Sequence, residues 1–246
     1  MTAAHSATCP TEVEYDGEDL EVLLGLHRYR QWIFSDMAPY LGSRSVEIGA
    51  GIGSFTKLLL GAVDTLDVIE PSPPLHPWLE RQFGGLEQVR IVPDSAERWI
   101  AGARPGAYDS VVLINVLEHM QDDDAMLRNF AGVLAPGGYL LLFVPALMLL
   151  FSELDRRYGH YRRYALPALR RQVAAAGFSI VTARYFDILG LLPWLILNTW
   201  MGKTAFSPRL TRLYDRFGVP LTRAVESMVT PPVGKNILLI ARKSMD

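Results

Sequence analysis

The sequence predicts an α/β fold in which helices cover both faces of a doubly wound sheet. Three observations carry that prediction. Short apolar, β-branched runs alternate with helical stretches along most of the 246 residues. The run Val46-Glu47-Ile48 opens onto Gly49-Ala50-Gly51-Ile52-Gly53 and then onto a helical stretch. A second run, Leu66 to Glu70, ends on a carboxylate about twenty positions past the first glycine, the offset at which such folds bind ribose hydroxyls.

Residues 1–17 are polar and read as a flexible tail, leaving 18–246 as one domain. The tail lacks a basic segment followed by an apolar one, so no secretory leader is expected. Its Cys9 is the single cysteine, which excludes a disulfide framework and fits a reducing cytoplasm. Asp19 to Leu41 is predicted helical, with Leu20, Leu23, Leu24 and His27 on one face and Gly42 as the stop.

Val46 and Ile48 suit a strand covered on both sides. The alternate glycines Gly49, Gly51 and Gly53 remove Cβ atoms where a ligand would lie against backbone, and a helix over Ser54–Leu60 would aim its amides there. A dinucleotide turn needs glycine where this chain has Ser54. Glu47, just before the turn, would repel a pyrophosphate and attract an ammonium group. The same glycines would also serve a tight strand–helix connection that binds nothing.

Glu70 closes the second strand before Pro71, and Val89–Val92 is the third. After it, Asp94 is placed to accept from an adenine amino group, with small Ser95 and Ala96 leaving room for the ring; Asp94 is equally a candidate helix cap. Tyr108–Ile114 is the fourth strand. A helix over Asp122–Leu134 begins with three acids, which read as caps and dipole partners, so no metal is expected. Tyr139–Val144 is the fifth strand, Leu166–Ala176 a helix, and Phe178–Tyr185 and Asn236–Arg242 the last two strands. A helical insertion, Asp187 to Thr230, precedes the final strand.

Glu47-Ile-Gly-Ala-Gly-Ile-Gly, Glu70, Asp94-Ser95-Ala96 and Asn115-Val-Leu-Glu-His119, in that order, resemble the class I S-adenosylmethionine-dependent methyltransferases over residues 26–186. The resemblance implies a Rossmann-like seven-stranded sheet whose last strand is antiparallel, with the cofactor S-adenosyl-L-methionine across the C-terminal strand edges. By the same resemblance Glu47 and the glycine turn hold the methionine part, and Glu70 holds ribose. Asp94, Ser95 and Ala96 frame adenine, Asn115 and Val116 lie beside the sulfonium, and Tyr29 or Arg30 touches the methionine end. Ordinary packing with snorkelling arginines is the alternative for that helix.

Phe151 to Tyr164 holds four arginines, one histidine and three tyrosines in fourteen residues. Arg forks match carboxylate or phosphate, and Tyr offers a flat wall. Arg157, Tyr158, Arg162, Arg163 and Tyr164 are therefore candidate acceptor contacts, within acceptor-binding segments around 146–165 and 187–230; a solvated loop paired through Glu153 and Asp155 is the alternative. With the Tyr-Phe-Asp and Pro-Pro-Val-Gly-Lys-Asn elements further on, this segment resembles a methyltransferase subgroup often found beside glycosyltransferases. A hydroxyl or carbon acceptor needs a base; His119 and His160 are the candidates, with Tyr161 orienting the acceptor. A carboxylate or free amine acceptor needs none.

Half the residues are hydrophobic and the net charge is −2, which argues against nucleic acid as a partner. No stretch reaches the roughly 18–20 apolar residues of a membrane span. Leu189 to Met201 reads as a lid over the site, an oligomer contact or a peripheral membrane patch. The expected activity is methyl transfer to a small or lipid-like metabolite, most simply at oxygen. N- or C-methylation, an NAD(P)-dependent oxidoreductase and a non-catalytic cofactor-binding partner are the alternatives.

Overall fold

The computed structural model describes residues 25–203 and 207–245. The expected tail, with Cys9, and the first residues of the N-terminal helix lie outside them. Seven strands form one sheet: β1 (Arg44–Ile48), β2 (Thr65–Ile69), β3 (Val89–Val92), β4 (Tyr108–Ile114), β5 (Leu134–Pro145), β6 (Phe178–Phe186) and β7 (Asn236–Lys243). Their order is β3-β2-β1-β4-β5-β7-β6. Only β7 runs against its neighbours, β5 and β6. Chain direction across the sheet reverses between β1 and β4, and at such a switch point the C-terminal strand ends leave a crevice.

The strands are apolar on both faces because helices cover both. Leu140, Leu142 and Val144 of β5 pack on one side with Val111, Leu113, Ile237 and Leu239. Against that side lie α4 (Ala96–Gly102), α5 (Asp123–Val133) and α7 (Leu166–Ala175), through Trp99, Phe130 and Leu169. Leu141 and Phe143 face the other way with Val68, Val112 and Leu238. There α1 (His27–Met37), α3 (His76–Phe83) and α10 (Val219–Met228) close the layer, through Trp32, Phe83 and Val219.

Three element boundaries differ from expectation. α1 ends at Met37 and tightens into a 3₁₀ turn at Ala38–Tyr40, because Pro39 cannot continue α-helical hydrogen bonding. The helix expected over Ser54–Leu60 is only α2 (Thr56–Leu59), since residues 51–55 stay in turns behind three positive-φ glycines. β5 starts at Leu134 rather than Tyr139: Leu134 already pairs with Tyr108, and the register shifts before Ser110 meets Tyr139.

The insertion forms a helical cover. It comprises α8 (Ile188–Trp194), which runs into a π segment at Leu195–Trp200, then α9 (Pro208–Leu213), a π segment at Tyr214–Gly218, and α10. Asp187, in the left-handed region at φ 65°, caps α8 by accepting from the Gly190 amide at 3.0 Å. Asp215 accepts from the Arg28 and Tyr29 amides at 3.1 and 3.0 Å. It thereby caps α1, whose own cap position, Leu26, offers no side-chain acceptor.

Candidate active site

A cleft of about 1100 Å³ opens over the C-terminal ends of β1, β2, β4 and β5. One half is built from the glycine turn. Gly49 donates its amide to the Ile69 carbonyl at 2.8 Å and sits at φ 70°. A Cβ there would lie 2.5 Å from a Val116 methyl, so only glycine permits this close approach. Gly53 plays a different part, since a Cβ on it would run into the Phe83 ring and it does not line the cleft. It seats the turn against α3. The helix expected to face the cleft is a single turn, α2, whose cap residue Phe55 lines the cleft with Ser54 beside the glycine loop.

Glu47 lines this half and is buried, accepting from the Thr56 hydroxyl at 2.5 Å. Burial pushes its carboxyl up to about 8, against the Thr56 hydrogen bond and helped by the charge of Glu70. Glu70 also lines the cleft, accepting from the Gly51 amide at 2.7 Å and the Ser72 amide at 2.8 Å. Those bonds engage each oxygen once, and a carboxylate has about four lone-pair sites. Ser95, Ala96 and Glu97 form the wall beyond it. Asp94 does not: it pairs with Arg98 and accepts from the Ser95 amide at 2.8 Å, outside the cleft lining. The cap of α4 is Ser95, accepting from the Arg98 amide at 3.3 Å. Asn115, at φ 52°, lines the cleft while its amide donates to the Phe143 carbonyl. Tyr29 and Arg30 of α1 line the cleft too.

The other half gathers charged and ring-bearing groups around His160. Ser152 and Asp155 form a capping box at the start of α6 (Glu153–Arg157), which buries Asp155. Asp155 then meets His160 Nδ1 at 2.8 Å and takes Arg163 as a fork, at 2.8 and 3.1 Å. Burial opposes its charge, but the His160 and Arg163 hydrogen bonds outweigh that and hold its carboxyl down at about 2. An ionised carboxylate only accepts, so Nδ1 carries a proton, and in the neutral imidazole Nε2 is the nitrogen with the lone pair. Nε2 lies 4.0 Å from an oxygen of Glu118. Glu118 is fully buried, has no hydrogen-bond partner for either oxygen among the described residues, and is pushed up to about 8 by that burial. His119 meets His160 edge to face, with centroids 4.6 Å apart. It lines the cleft, and desolvation plus the neighbouring His160 pull it down to about 4, so it is neutral at physiological pH.

Of the acceptor-loop candidates, the cleft gathers Tyr158, His160, Tyr161 and Arg163 beside His119. Arg157, Arg162 and Tyr164 lie outside its lining. Arg162 pairs with Asp123 at 2.6 Å and donates to the Gln121 carbonyl, and the Tyr164 hydroxyl donates to Asp123 at 2.8 Å. Arg163 spends its fork internally on Asp155 beneath the Trp194 ring, and so offers none to an acceptor anion. Of the three acids before α5, Asp122 caps the helix, accepting from the Ala125 amide at 2.9 Å. Among the described residues, the grouping with ligand-like spacing is instead Glu118, His119 and His160, whose candidate atoms lie within 4.8 Å of one another.

Sequence reading missed the part played by Asp155; its signal was a carboxylate five positions before His160 in a loop over the strand ends. The far wall takes Trp194, Leu197 and Tyr214 from the segments expected to cover the site, and adds Lys235 and Asn236, to which sequence reading gave no place in it. Lys235 pairs with Asp187 at 2.9 Å and sits over the Tyr29 ring, and Tyr29 donates to Asn236 at 3.1 Å.

A family profile described as a methyltransferase domain matches residues 23–183. The highly reducing polyketide synthase PKS6 of Gibberella zeae is 31% identical over 130 residues, 45% of this chain, which spans 5% of that protein. A ubiquinone biosynthesis O-methyltransferase of Xanthomonas euvesicatoria pv. vesicatoria is 28% identical over 173 residues, covering 62% of this chain and 68% of the relative. Among solved structures, a SAM-dependent methyltransferase from Archaeoglobus fulgidus superposes with a TM-score of 0.58 at 15% identity, over 87% of this chain and 94% of that one. At that identity the likeness shows the fold alone.

Proposed function

This chain belongs to the methyltransferase-domain family, and we propose that it moves a methyl group from S-adenosyl-L-methionine to a hydroxyl of a small or amphipathic metabolite. The observation that carries the reading is the His160–Asp155 pair, whose histidine lines the same cleft as the glycine turn.

The cofactor half fits its ligand on three counts. The Gly49 cradle is one that a Cβ would fill. Glu47 is a buried carboxyl with no ion pair among the described residues, suited to an ammonium group. Glu70 keeps acceptor sites for ribose hydroxyls beside the small wall at Ser95 and Ala96. When bound, the cofactor supplies a methyl group already activated by its sulfonium. What remains for the protein is alignment and proton removal. His160 takes the acceptor's hydroxyl proton at Nε2 as the oxygen–carbon bond forms and the sulfur–carbon bond breaks. Asp155 keeps the imidazole in the right tautomer and offsets the charge it gains, and Arg163 holds Asp155 ionised. Tyr158 and Tyr161 flank the acceptor space. The name of the Xanthomonas relative favours oxygen as the methylated atom.

The test pairs labelled methyl transfer with calorimetric binding of S-adenosylhomocysteine. His160→Ala is expected to lower kcat by about 10²–10⁴-fold with unchanged affinity for S-adenosylhomocysteine, and Asp155→Asn by less. Full rate in His160→Ala would mean an acceptor that gives up no proton in the step. A product methylated at nitrogen or carbon refutes the oxygen assignment. Binding without transfer to any hydroxylated amphiphile would favour a non-catalytic partner. A chelator control separates proton transfer from cation chemistry at the Glu118, His119 and His160 grouping.

A further inference from the structure

We propose that the outer face of the helical cover docks on an anionic lipid bilayer; the use of that docking rests on the reading of an amphipathic acceptor given above. The stretch 208–228 is continuous helix, α9 through the π segment into α10. Its inner face is spent on the protein: Asp215, Val219 and Thr222 are buried, and Thr211 and Tyr214 line the cleft. Its outer face carries Leu213, Phe217, Leu221 and Met228, all exposed, Phe217 at 59% and Met228 at 77%, while Leu210 borders the cleft. Steps of four, four and seven keep these side chains on one stripe.

The second limb repeats the arrangement. Trp194 and Leu197 of the α8 limb line the cleft, while Leu192, Ile196 and Trp200 are exposed, at steps of four. The turn after β5 joins this limb, because the Trp194 indole and the Thr199 hydroxyl donate to the Leu150 carbonyl at 3.1 and 3.2 Å. Met148 and Leu149 of that turn are exposed as well. So much uncovered apolar surface around a cleft marks a contact face.

Charge selects the occupant. Arg209, Arg212, Arg216 and Arg223 are exposed along the 208–228 helix. Its two carboxylates are used internally, Asp215 on the α1 amides and Glu226 on Arg184. A basic, apolar face on a chain of net charge −2 matches the pattern of interfacial helices, whose arginines meet lipid phosphates while the apolar side chains enter the headgroup boundary. A twofold contact with a second copy would set these arginines against one another. No helix among the described residues is long and apolar enough to cross a membrane, so the geometry is docking. The helices that would rest on lipid also wall the cleft, which gives an amphipathic acceptor a short path from bilayer to His160.

The experiment is cosedimentation of the full chain with phosphatidylcholine vesicles, with and without phosphatidylglycerol. The intact protein is expected to bind the anionic vesicles and to be released by salt. Leu213→Ser with Phe217→Ser, and separately Arg212→Gln with Arg216→Gln, should each weaken binding about tenfold, while S-adenosylhomocysteine affinity stays unchanged. None of these four residues lines the cleft. Absence of vesicle binding, or binding indifferent to both double variants, overturns the proposal. A concentration-dependent dimer abolished by Leu213→Ser with Phe217→Ser, without vesicle binding, assigns the face to a second copy instead. Because vesicle binding is read without turnover, a protein that docks but transfers no methyl group defeats only the catalytic reading. One that transfers but does not dock defeats only this one.

Discussion

Glu47 lies near the end of β1 as a buried acid with no ion pair among the described residues, and this sets how ligand binding depends on pH. Its folded value of about 8 stands above the ordinary 4.5, raised by burial and by Glu70. The stability it contributes to the ligand-free protein is therefore fully present below about 4.5 and is lost as pH rises through about 8. An ammonium ligand favours the ionised form. Binding of S-adenosylhomocysteine near pH 7 should thus expel a proton, and affinity should rise with pH toward about 8. Calorimetry in two buffers of different ionisation heat reads that proton directly, and Glu47→Gln should abolish it. Identical heats for the intact protein in both buffers would refute the account. The places of Glu47, Glu70 and Gly49 at the cleft were legible as sequence because they follow from the ends of β1 and β2 and one glycine turn. Asp94 was not: Arg98, one helical turn away, draws its carboxylate outward.

Elements were legible where their signals are local. Strands β3 and β4 fall where alternation and burial put them, and the insertion is helical as expected. The start of α1 is a different matter. Its cap is Asp215, a residue 187 positions from Arg28 and 186 from Tyr29. That bond ties the helical cover to the helix that lines the cleft, so Asp215→Ala should cost about 0.5–2 kcal/mol. Hydrogen exchange at the Arg28 and Tyr29 amides should quicken more than in the centre of α1. Uniform exchange along α1 would show that the cap carries nothing. The acceptor loop likewise looked like an anion site because arginine composition cannot say which arginines turn inward. Arg162 and Arg163 both found carboxylates of the protein itself.

Across the whole molecule, two apolar layers share one sheet, and each central strand contributes alternate residues to both. Leu113 is fully buried in the layer beneath α5. Leu113→Ala should cost about 2–5 kcal/mol, seen as a lower urea midpoint with an unchanged slope. A changed slope would mean that the two layers do not unfold together. The order of residues along the chain was enough for the sheet's alternation, the glycine turn, the carboxylates beside that turn and the family, because these depend on residues close together in the chain. Folding in three dimensions was needed to join Asp155 to His160, to leave Glu118 beside them with no hydrogen bond among the described residues, and to close the cleft with Trp194, Tyr214 and Lys235. Those facts depend on which side chains a folded sheet brings together across its strand ends, and on which charges then find partners away from water.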